Sequence, residues 1–125
     1  MGGLLGLAAK QRGIAGAVLD GPATDRAEIV ELRFPVFASG VSARTTRRLD
    51  TGGTVGEPIT CGGARVSTGD YVLGDDDGVL IIPAAEIEPV IARGLEASRR
   101  EGETRRHLLA GKTLDEIDEL RRRTP

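Results

Sequence analysis

The apolar positions in the first third of the chain alternate between helical and extended patterns. Residues 4–12 are rich in Leu and Ala, which favour a helix, and Gly13 suits its exit. The apolar run at residues 14–19 predicts a buried parallel strand, which ends at the turn signal Asp20-Gly21-Pro22.

The alternation continues as far as residue 38. Residues 25–32 predict a second short helix with Thr24 as its N-cap, because a Thr oxygen can accept a hydrogen bond from a free amide at a helix start. Residues 35–38 predict a second strand. The order strand, helix, strand predicts a βαβ-like unit and therefore an α/β fold.

The centre of the chain predicts a long loop followed by short strands. Residues 39–53 are polar, rich in Arg and punctuated by Gly, and residues 54–60 form an extended segment. Strand-like runs then follow at residues 64–67, 71–73 and 79–82. Corners rich in Gly and Asp separate these runs.

Two of those corners place a glycine where the backbone needs a positive φ, at Gly69 and Gly78. The run Asp75-Asp76-Asp77 before Gly78 has two interpretations. Three acids could bind a metal ion, but consecutive residues on a turn point in different directions and rarely converge on one ion. Asp side chains also hold turns through their own backbone, and we favour that interpretation.

The last third of the chain predicts helices. A helical pattern starts at residue 85, which leaves Pro89 in the first turn, where a proline is tolerated. Residues 98–106 are charged on all sides, so this part projects into solvent or meets another subunit. The run Thr113-Leu114-Asp115-Glu116 is a capping box, which opens a final helix ending at Arg123.

Composition narrows the class of protein. A chain of 125 residues favours one domain, and we divide it into a core at residues 2–83 and C-terminal helices at residues 85–123. Only 2% of the residues are aromatic, so the core is expected to consist of Leu, Val, Ile and Ala. The net charge of −2 gives no attraction to nucleic acid or to an anionic membrane, and neither partner is expected.

Cys61 is the sole cysteine and His107 the sole histidine, so an internal disulfide and a cysteine-based zinc site are excluded. Nothing links the two residues into a catalytic pair, and we expect Cys61 to be structural and His107 to lie at the surface. No apolar run is long enough to span a membrane and no secretory signal is recognisable, so a cytoplasmic location is expected.

Three segments together resemble one known family. They are residues 13–25 (GIAGAVLDGPATD), 34–43 (FPVFASGVSA) and 62–83 (GGARVSTGDYVLGDDDGVLIIP). The chain resembles the RraA-like family. The resemblance runs from Gly2 to about Arg106, and its motifs occur in the same order as in the family. That family contains 4-hydroxy-4-methyl-2-oxoglutarate aldolases, oxaloacetate decarboxylases and regulators of ribonuclease activity. The resemblance implies a swivelling β/β/α domain with a C-terminal helical arm, assembled as trimers or hexamers.

The resemblance also implies a site. In the aldolases, backbone amides of a Gly-acid-Leu-Leu segment bind substrate oxygens, and the acid is followed about twenty residues later by Arg-Asp. The Arg grips the pyruvate carboxylate. The Asp holds Mg²⁺ or Mn²⁺, which polarises the keto oxygen, and a Glu from a neighbouring subunit's C-terminal helix completes the acid set.

Carried over, the motif assigns substrate binding to Gly2, Gly3, Leu4, Leu5 and Thr24. It assigns the metal and a catalytic role to Asp25, and a catalytic role to Glu101 with Glu103 as the fallback. Two positions depart from the family, because Gly3 replaces the acid and Thr24 replaces the Arg. Asp25 also has a simpler interpretation as an acid stabilised by a helix dipole, and this alternative stays open.

These assignments imply a divalent-metal-dependent lyase that acts on a small 2-oxo acid, with retro-aldol cleavage through a pyruvate enolate and oxaloacetate decarboxylation as a side activity. Because Thr24 lacks the guanidinium fork and Gly3 lacks the acid, we expect weak or absent activity. The alternative is a non-catalytic regulator that binds a ribonuclease or a helicase. A third interpretation is a non-functional remnant.

The family resemblance begins at the first residues of the chain, whereas family members usually carry further strands and a helix before this point. Three explanations stay open. The chain is a fragment or an early-truncated product, its start codon is misplaced, or another polypeptide supplies the missing part. Without those strands, an open sheet edge and uncovered apolar surface are expected.

Overall fold

A computed structural model describes residues 1–45, 47 and 50–123. The chain divides into two compact units, an N-terminal unit, Met1–Ala84, and a C-terminal unit, Ala85–Pro125. This division falls where the sequence pattern separates the core from the C-terminal helices. The assignment of both to one domain stays a prediction.

The N-terminal unit begins with the predicted helix and βαβ-like unit. Its first elements are α1 (Gly3–Gln11), β1 (Ala17–Leu19), α2 (Arg26–Glu31) and β2 (Val36–Ala38). Strands β1 and β2 pair in parallel, with Ala17 opposite Val36, so the predicted α/β order is confirmed. The prediction that β1 is buried is wrong, because Val18 is 37% exposed.

The parallel pairing continues beyond the ends of β1 and β2. The amide of Ala23 donates to the carbonyl of Gly40 at 2.9 Å, and the amide of Ser42 donates to the carbonyl of Ala23 at 2.8 Å. Ala23 and Val41 form an isolated parallel bridge. Thr24 and Asp25 therefore follow directly on the carboxyl side of a hydrogen-bonded ribbon, the side on which open α/β sheets bind their ligands.

Two antiparallel hairpins follow, formed by β3 (Ile59–Cys61) with β4 (Ala64–Val66) and by β5 (Tyr71–Asp75) with β6 (Gly78–Ile82). The extended segment predicted from residue 54 contains a strand only from Ile59 onward. The loop predicted at residues 39–53 holds no helix or strand among its described residues, apart from the bridge at Val41. Positions 46, 48 and 49 of that loop lie outside the described residues.

The turn chemistry of the hairpins is as predicted. Gly69 has φ +97° and Gly78 has φ +145°. The carboxylate of Asp75 accepts from the amide of Asp77 at 2.9 Å, and the carboxylate of Asp70 accepts from the amide of Ser67 at 2.8 Å. The acidic run is therefore bonded as a turn. In the described part of the chain, no three His, Cys, Asp or Glu side chains are grouped closely enough to hold a metal ion together.

The buried core of the N-terminal unit is small. Among its described residues, the buried apolar ones are Ala23, Ile29, Phe34 and Ile82. The expectation of a purely aliphatic core is wrong, because Phe34, at 4% exposed, is the most buried of the four. Helix α1 packs on Phe34 and Leu32 through Gly6, where a Cβ would be 3.7 Å from the Phe34 ring. Many large apolar side chains stay exposed, including Leu4 at 80% and Leu73 at 63%.

The C-terminal unit is a helical hairpin. A 3-10 turn (Ala84–Glu86) leads into α3 (Ile87–Leu109), and α4 (Leu114–Arg123) follows. Helix α3 ends as predicted beside Gly111, at φ +85°, where the amides of Gly111 and Lys112 return to the carbonyls of Leu108 and His107. None of the described helices combines the length and the apolar composition that a membrane span requires.

Helix α4 contacts α3 through the apolar side chain of Ile117 and the guanidinium of Arg121. Ile117 is only 2% exposed. The Arg121 guanidinium donates to the Arg100 carbonyl at 3.2 Å and to the Thr104 hydroxyl at 2.6 Å. The predicted capping box is confirmed, since Thr113 N donates to Glu116 Oε2 at 2.8 Å and Glu116 N donates to Thr113 Oγ1 at 3.3 Å.

Gly74→Ala should destabilise the N-terminal unit by about 1–3 kcal/mol, the usual cost of inserting an atom into a filled space. A Cβ at this position would be 2.6 Å from the Phe37 ring. The matched control is Gly21→Ala, because a Cβ on Gly21 meets nothing within 4 Å. Chemical denaturation of both variants measures the difference, and equal stabilities would contradict this packing.

The capping box should give Glu116 a distinct acid titration. Hydrogen bonds from the backbone and hydroxyl of Thr113, with the charge of Lys112, lower the pKa of Glu116 in the folded protein. A lowered pKa means that the contribution of Glu116 to stability is present above its unfolded pKa and is lost as the pH falls through the folded pKa. In an NMR titration, Thr113→Ala should raise this pKa, whereas Thr113→Ser should leave it low.

Candidate functional site

Asp25 lies at the start of α2 in a left-handed conformation, with φ 55° and ψ 43°. The helix begins at Arg26, so Asp25 occupies the N-cap position, and the prediction of Thr24 as N-cap is wrong. Asp25 makes no side-chain capping bond to α2. A non-glycine residue in this conformation costs roughly 1–2 kcal/mol, although Asp tolerates it better than most. The backbone of Asp25 joins the helix through the Ile29 amide, which donates to the Asp25 carbonyl at 3.1 Å, but another interaction holds its side chain.

That other interaction is with the start of α1. The amide of Gly3 donates to Asp25 Oδ2 at 3.0 Å, and the amide of Thr24 donates to the carbonyl of Met1 at 2.8 Å. The buried hydroxyl of Thr24 lies 3.3 Å from the same Asp25 oxygen. The structure thus brings together the two segments that the family resemblance assigns to one site.

The close approach of the two segments depends on Gly2. A Cβ on Gly2 would stand 2.5 Å from Asp25 Oδ2 and 2.6 Å from Thr24 Oγ1. Any side chain here would displace the Asp25 carboxylate or the Thr24 hydroxyl. Gly2 is therefore a spacing residue as well as part of the predicted amide segment.

One amide of the predicted substrate-binding segment already forms a hydrogen bond within the protein. The Gly3 amide is bonded to Asp25 and is not available to a substrate in this conformation. The amides of Leu4 and Leu5 lie in the first turn of α1, where helix geometry provides no intrahelical carbonyl partner. The amides of Leu4 and Leu5 therefore remain able to receive an anionic oxygen.

Glu28 belongs to the site and was missed by the sequence analysis. Its carboxylate lies against the backbone of Gly3, so that both oxygens are within 2.8 Å of the place where a Gly3 Cβ would stand. Glu28 is exposed, and no described residue forms a hydrogen bond or ion pair with its side chain. The signal in the sequence was the spacing Asp25-x-x-Glu28, which places Glu28 in the first turn of the helix whose N-cap position is Asp25.

Among the described residues near Thr24, no guanidinium takes the place of the missing arginine. Arg26 is exposed and lines a separate hollow of about 590 Å³ together with Arg33. Another hollow, of about 630 Å³, is lined mainly by apolar residues of the strands, including Val18, Phe37 and Ile81. Gly2, Gly3 and Asp25 line neither of these hollows, and the side chains of Asp25 and Glu28 are exposed.

The other predicted residues lie elsewhere in the chain. Glu101 and its fallback Glu103 are both exposed on α3 in the C-terminal unit. His107 is half-buried on the same helix, so the expectation of a surface position holds only in part. Cys61 is a free, half-buried thiol at the end of β3. The roles assigned to all four stay predictions.

The residues around Gly3 fit a hard divalent cation. Oδ1 of Asp25 receives no hydrogen bond from the described residues, and Glu28 adds a second carboxylate beside the same glycine. Mg²⁺ keeps several of its waters and is commonly held through one or two carboxylates, which an exposed pair can supply. Asp25, with Glu28 beside it, would hold the ion, leaving the remaining positions to water and substrate.

Asp25 should be sensitive to substitution in a graded way. Asp25→Asn keeps an oxygen for the Gly3 amide and tolerates the left-handed backbone, so a small loss of stability is expected. Asp25→Ala loses the bond to Gly3 and strains the backbone, with a combined cost of about 2 kcal/mol. Thermal and chemical denaturation measure both values. Equal losses for Asn and Ala would show that the bond to Gly3 carries no stability.

Comparisons with known proteins show the family of the chain. Residues 1–81 match the RraA-like family, described as Aldolase/RraA. An uncharacterized protein of Methanocaldococcus jannaschii is 32% identical over 93% of this chain and 55% of its own length. A protein of Halalkalibacterium halodurans, provisionally named 4-hydroxy-4-methyl-2-oxoglutarate aldolase, is 38% identical over 72% of this chain and 42% of its own length.

A solved structure supports the fold. An uncharacterized protein from Pseudomonas syringae pv. tomato has a TM-score of 0.79 with 24% identity, covering 92% of this chain and 57% of the other. The chain thus spans about half the length of the relatives that it matches. On the strength of the match over residues 1–81, the chain belongs to the RraA-like family.

Proposed function

We propose that this chain carries the metal and amide half of a divalent-metal-dependent lyase site for small 2-oxo acids. The reaction is retro-aldol cleavage of 4-hydroxy-4-methyl-2-oxoglutarate to pyruvate through an enolate, with oxaloacetate decarboxylation as a side activity. The observation that carries the proposal is the bond from the Gly3 amide to Asp25 Oδ2, which places an exposed carboxylate at the start of α1. Provisional aldolase names among the relatives support the same reaction class.

Asp25 is suited to hold a cation because its two oxygens have different tasks. Oδ2 is fixed by the Gly3 amide, which orients the carboxylate. Oδ1 receives no hydrogen bond from the described part of the chain and is left for a ligand. A bound Mg²⁺ or Mn²⁺ would supply Lewis-acid polarisation of the substrate's keto oxygen.

The first turn of α1 is suited to bind the anionic part of the substrate. The unpaired amides of Leu4 and Leu5 and the helix dipole both favour negative charge at this end. Both residues are exposed, with Leu4 at 80% and Leu5 at 59%, so a small acid can reach these amides. Their side chains give the substrate an apolar border.

Thr24 explains why we expect slow turnover. Its hydroxyl is buried and directed at Asp25, so it has no second donor to pair with a carboxylate. An arginine would make two charge-assisted hydrogen bonds, each worth roughly 1.5–3 kcal/mol. We propose that pyruvate-forming substrates bind orders of magnitude more weakly here than in a site with Arg-Asp.

The proposal includes assembly in the cytoplasm as a trimer or hexamer, with Glu101 supplied by a neighbouring copy as the remaining acid. Glu101 is exposed on α3, as a residue acting in another subunit must be before assembly. Light scattering of the purified protein measures the oligomer.

The alternative function is a non-catalytic regulator that binds a ribonuclease or a helicase. The observation in its favour is the replacement of the substrate-gripping arginine by the buried Thr24. Capture of purified ribonuclease or helicase in the presence of chelator, with no binding of Mn²⁺, would favour this alternative over the lyase.

Purified protein with Mn²⁺ and oxaloacetate should release pyruvate slowly, and Asp25→Asn should abolish the Mn²⁺-dependent part. The control is Asp20→Asn, which removes an exposed carboxylate from the preceding turn and should leave the rate unchanged. Pyruvate release is measured with and without chelator. A rate that is the same with chelator, or the same in Asp25→Asn, would contradict the proposal.

A further inference from the structure

The hollow of about 590 Å³ beside α2 has the make-up of a small-molecule site, and the lyase proposal does not use it. Its lining is mainly apolar and includes the buried residues Ala23, Ile29 and Phe34. Arg26 and Arg33, both exposed, line the same hollow. Sites for small molecules are typically hollows of a few hundred Å³ with apolar walls and a few polar groups that orient the ligand.

The guanidinium groups of Arg26 and Arg33 have no partner in the described part of the chain. Neither forms an ion pair or a hydrogen bond with another described residue. Asp76 also lines the hollow, but it forms no ion pair with either arginine. Two guanidiniums against one carboxylate leave the hollow with a net positive charge, so its electrostatics favour an anion.

Arg33 lies at the end of α2, in a backbone conformation that favours glycine. The amide of Arg33 donates to the carbonyl of Val30 at 2.9 Å, and the amide of Phe34 donates to the carbonyl of Ile29 at 3.5 Å. These two bonds form a Schellman motif, whose residue after the C-cap is left-handed. Arg33 is that residue, with φ +48°.

The same motif ends α1 and α3, and in both cases a glycine occupies the left-handed position. Gly13 has φ +75° and Gly111 has φ +85°, each with the matching pair of backbone bonds. A side chain at this position has a steric cost that glycine avoids. A positive charge suits the end of a helix, but a residue of the last turn can supply it without this strain. The end of α2 therefore does not account for the side chain of Arg33.

Arg26 also occupies a position that its own helix disfavours. It is the first residue of α2, where the helix dipole opposes a positive charge. Val30, one turn further along α2, lines the same hollow and is 59% exposed. Two locally unfavourable arginines thus meet an exposed apolar surface in one hollow.

We propose that this hollow binds a small organic carboxylate with an apolar body. Arg26 and Arg33 pair with the carboxylate, because a guanidinium can donate two parallel hydrogen bonds to its oxygens. The exposed side chains of Val30 and Val41 contact the apolar body, which removes their surface from water. The site is independent of the lyase proposal, because Asp25 does not line the hollow.

The proposal is tested with the full chain and two probes of the same shape, benzoate and the neutral benzamide. Binding is followed through the NMR shifts of the Gly40 and Val41 amides, since both residues line the hollow. Benzoate should shift these signals in a saturable way. Benzamide should bind about tenfold more weakly or less, because it cannot form charge-assisted hydrogen bonds. Equal affinities for the two probes would overturn the role of the arginines.

Arg33→Gly separates binding from folding. Glycine suits φ +48°, so this variant should not lower the melting temperature, yet it should weaken benzoate binding about tenfold or more. Arg26→Gln, which changes an exposed side chain, should give a similar loss. The matched control is Arg12→Gln, because Arg12 is an exposed guanidinium of the same unit that lines neither hollow, and benzoate affinity should be unchanged.

Each outcome decides the proposal. Weaker benzoate binding in both Arg33→Gly and Arg26→Gln, with the melting temperature retained, supports the site. Unchanged benzoate affinity in these two variants overturns it, and so does an equal loss in Arg12→Gln, which would indicate attraction to surface charge in general. The Mn²⁺-dependent release of pyruvate is measured separately and tests a different set of residues.

Discussion

The hydrogen bond from the Gly3 amide to the Asp25 carboxylate is the interaction on which the candidate site depends. It joins residues 22 positions apart and fixes the start of α1 beside the start of α2. Its geometry imposes two further conditions, a left-handed backbone at Asp25 and the absence of a side chain at Gly2. The bond also divides the carboxylate into an oriented oxygen and an oxygen left for a ligand. The strained backbone of Asp25, the glycine at position 2 and the oxygen left for a ligand are thus all linked to the bond between Gly3 and Asp25.

The site is held by hydrogen bonds more than by a core. Four of the described apolar residues of the N-terminal unit are buried, and many of its large apolar side chains are exposed. In contrast, the segment leading to Asp25 is bonded to Gly40, Ser42 and Met1 through backbone groups. Backbone bonds fix direction and register closely, whereas a thin core allows side chains to repack. The backbone hydrogen bonds can therefore place Asp25 precisely although its side chain is exposed.

One sequence pattern led to two different structures in this chain. An acceptor followed three positions later by Glu makes both capping bonds at Thr113 and Glu116, and neither at Asp25 and Glu28. The difference lies in the surroundings. Helix α4 begins after a short connection, and there Thr113 and Glu116 bond to each other. Helix α2 instead begins beside the glycines at the start of α1. The long-range bond to Gly3 takes the Asp25 carboxylate, and the space above Gly3 receives Glu28.

The sequence by itself determined the order of helices and strands, the parallel pairing of the first two strands, the glycine corners and the capping box at Thr113. Each of these follows from residues close together in the chain, whose propensities and spacing act locally. It also indicated Asp25 and the Gly2–Leu5 segment, through family resemblance. The tertiary structure alone decided that α2 starts after Asp25, that Phe34 enters the core, that β1 stays partly exposed and that Glu28 fills the space of a side chain at Gly3. Those outcomes depend on which distant segment occupies a given volume, and no local pattern encodes that.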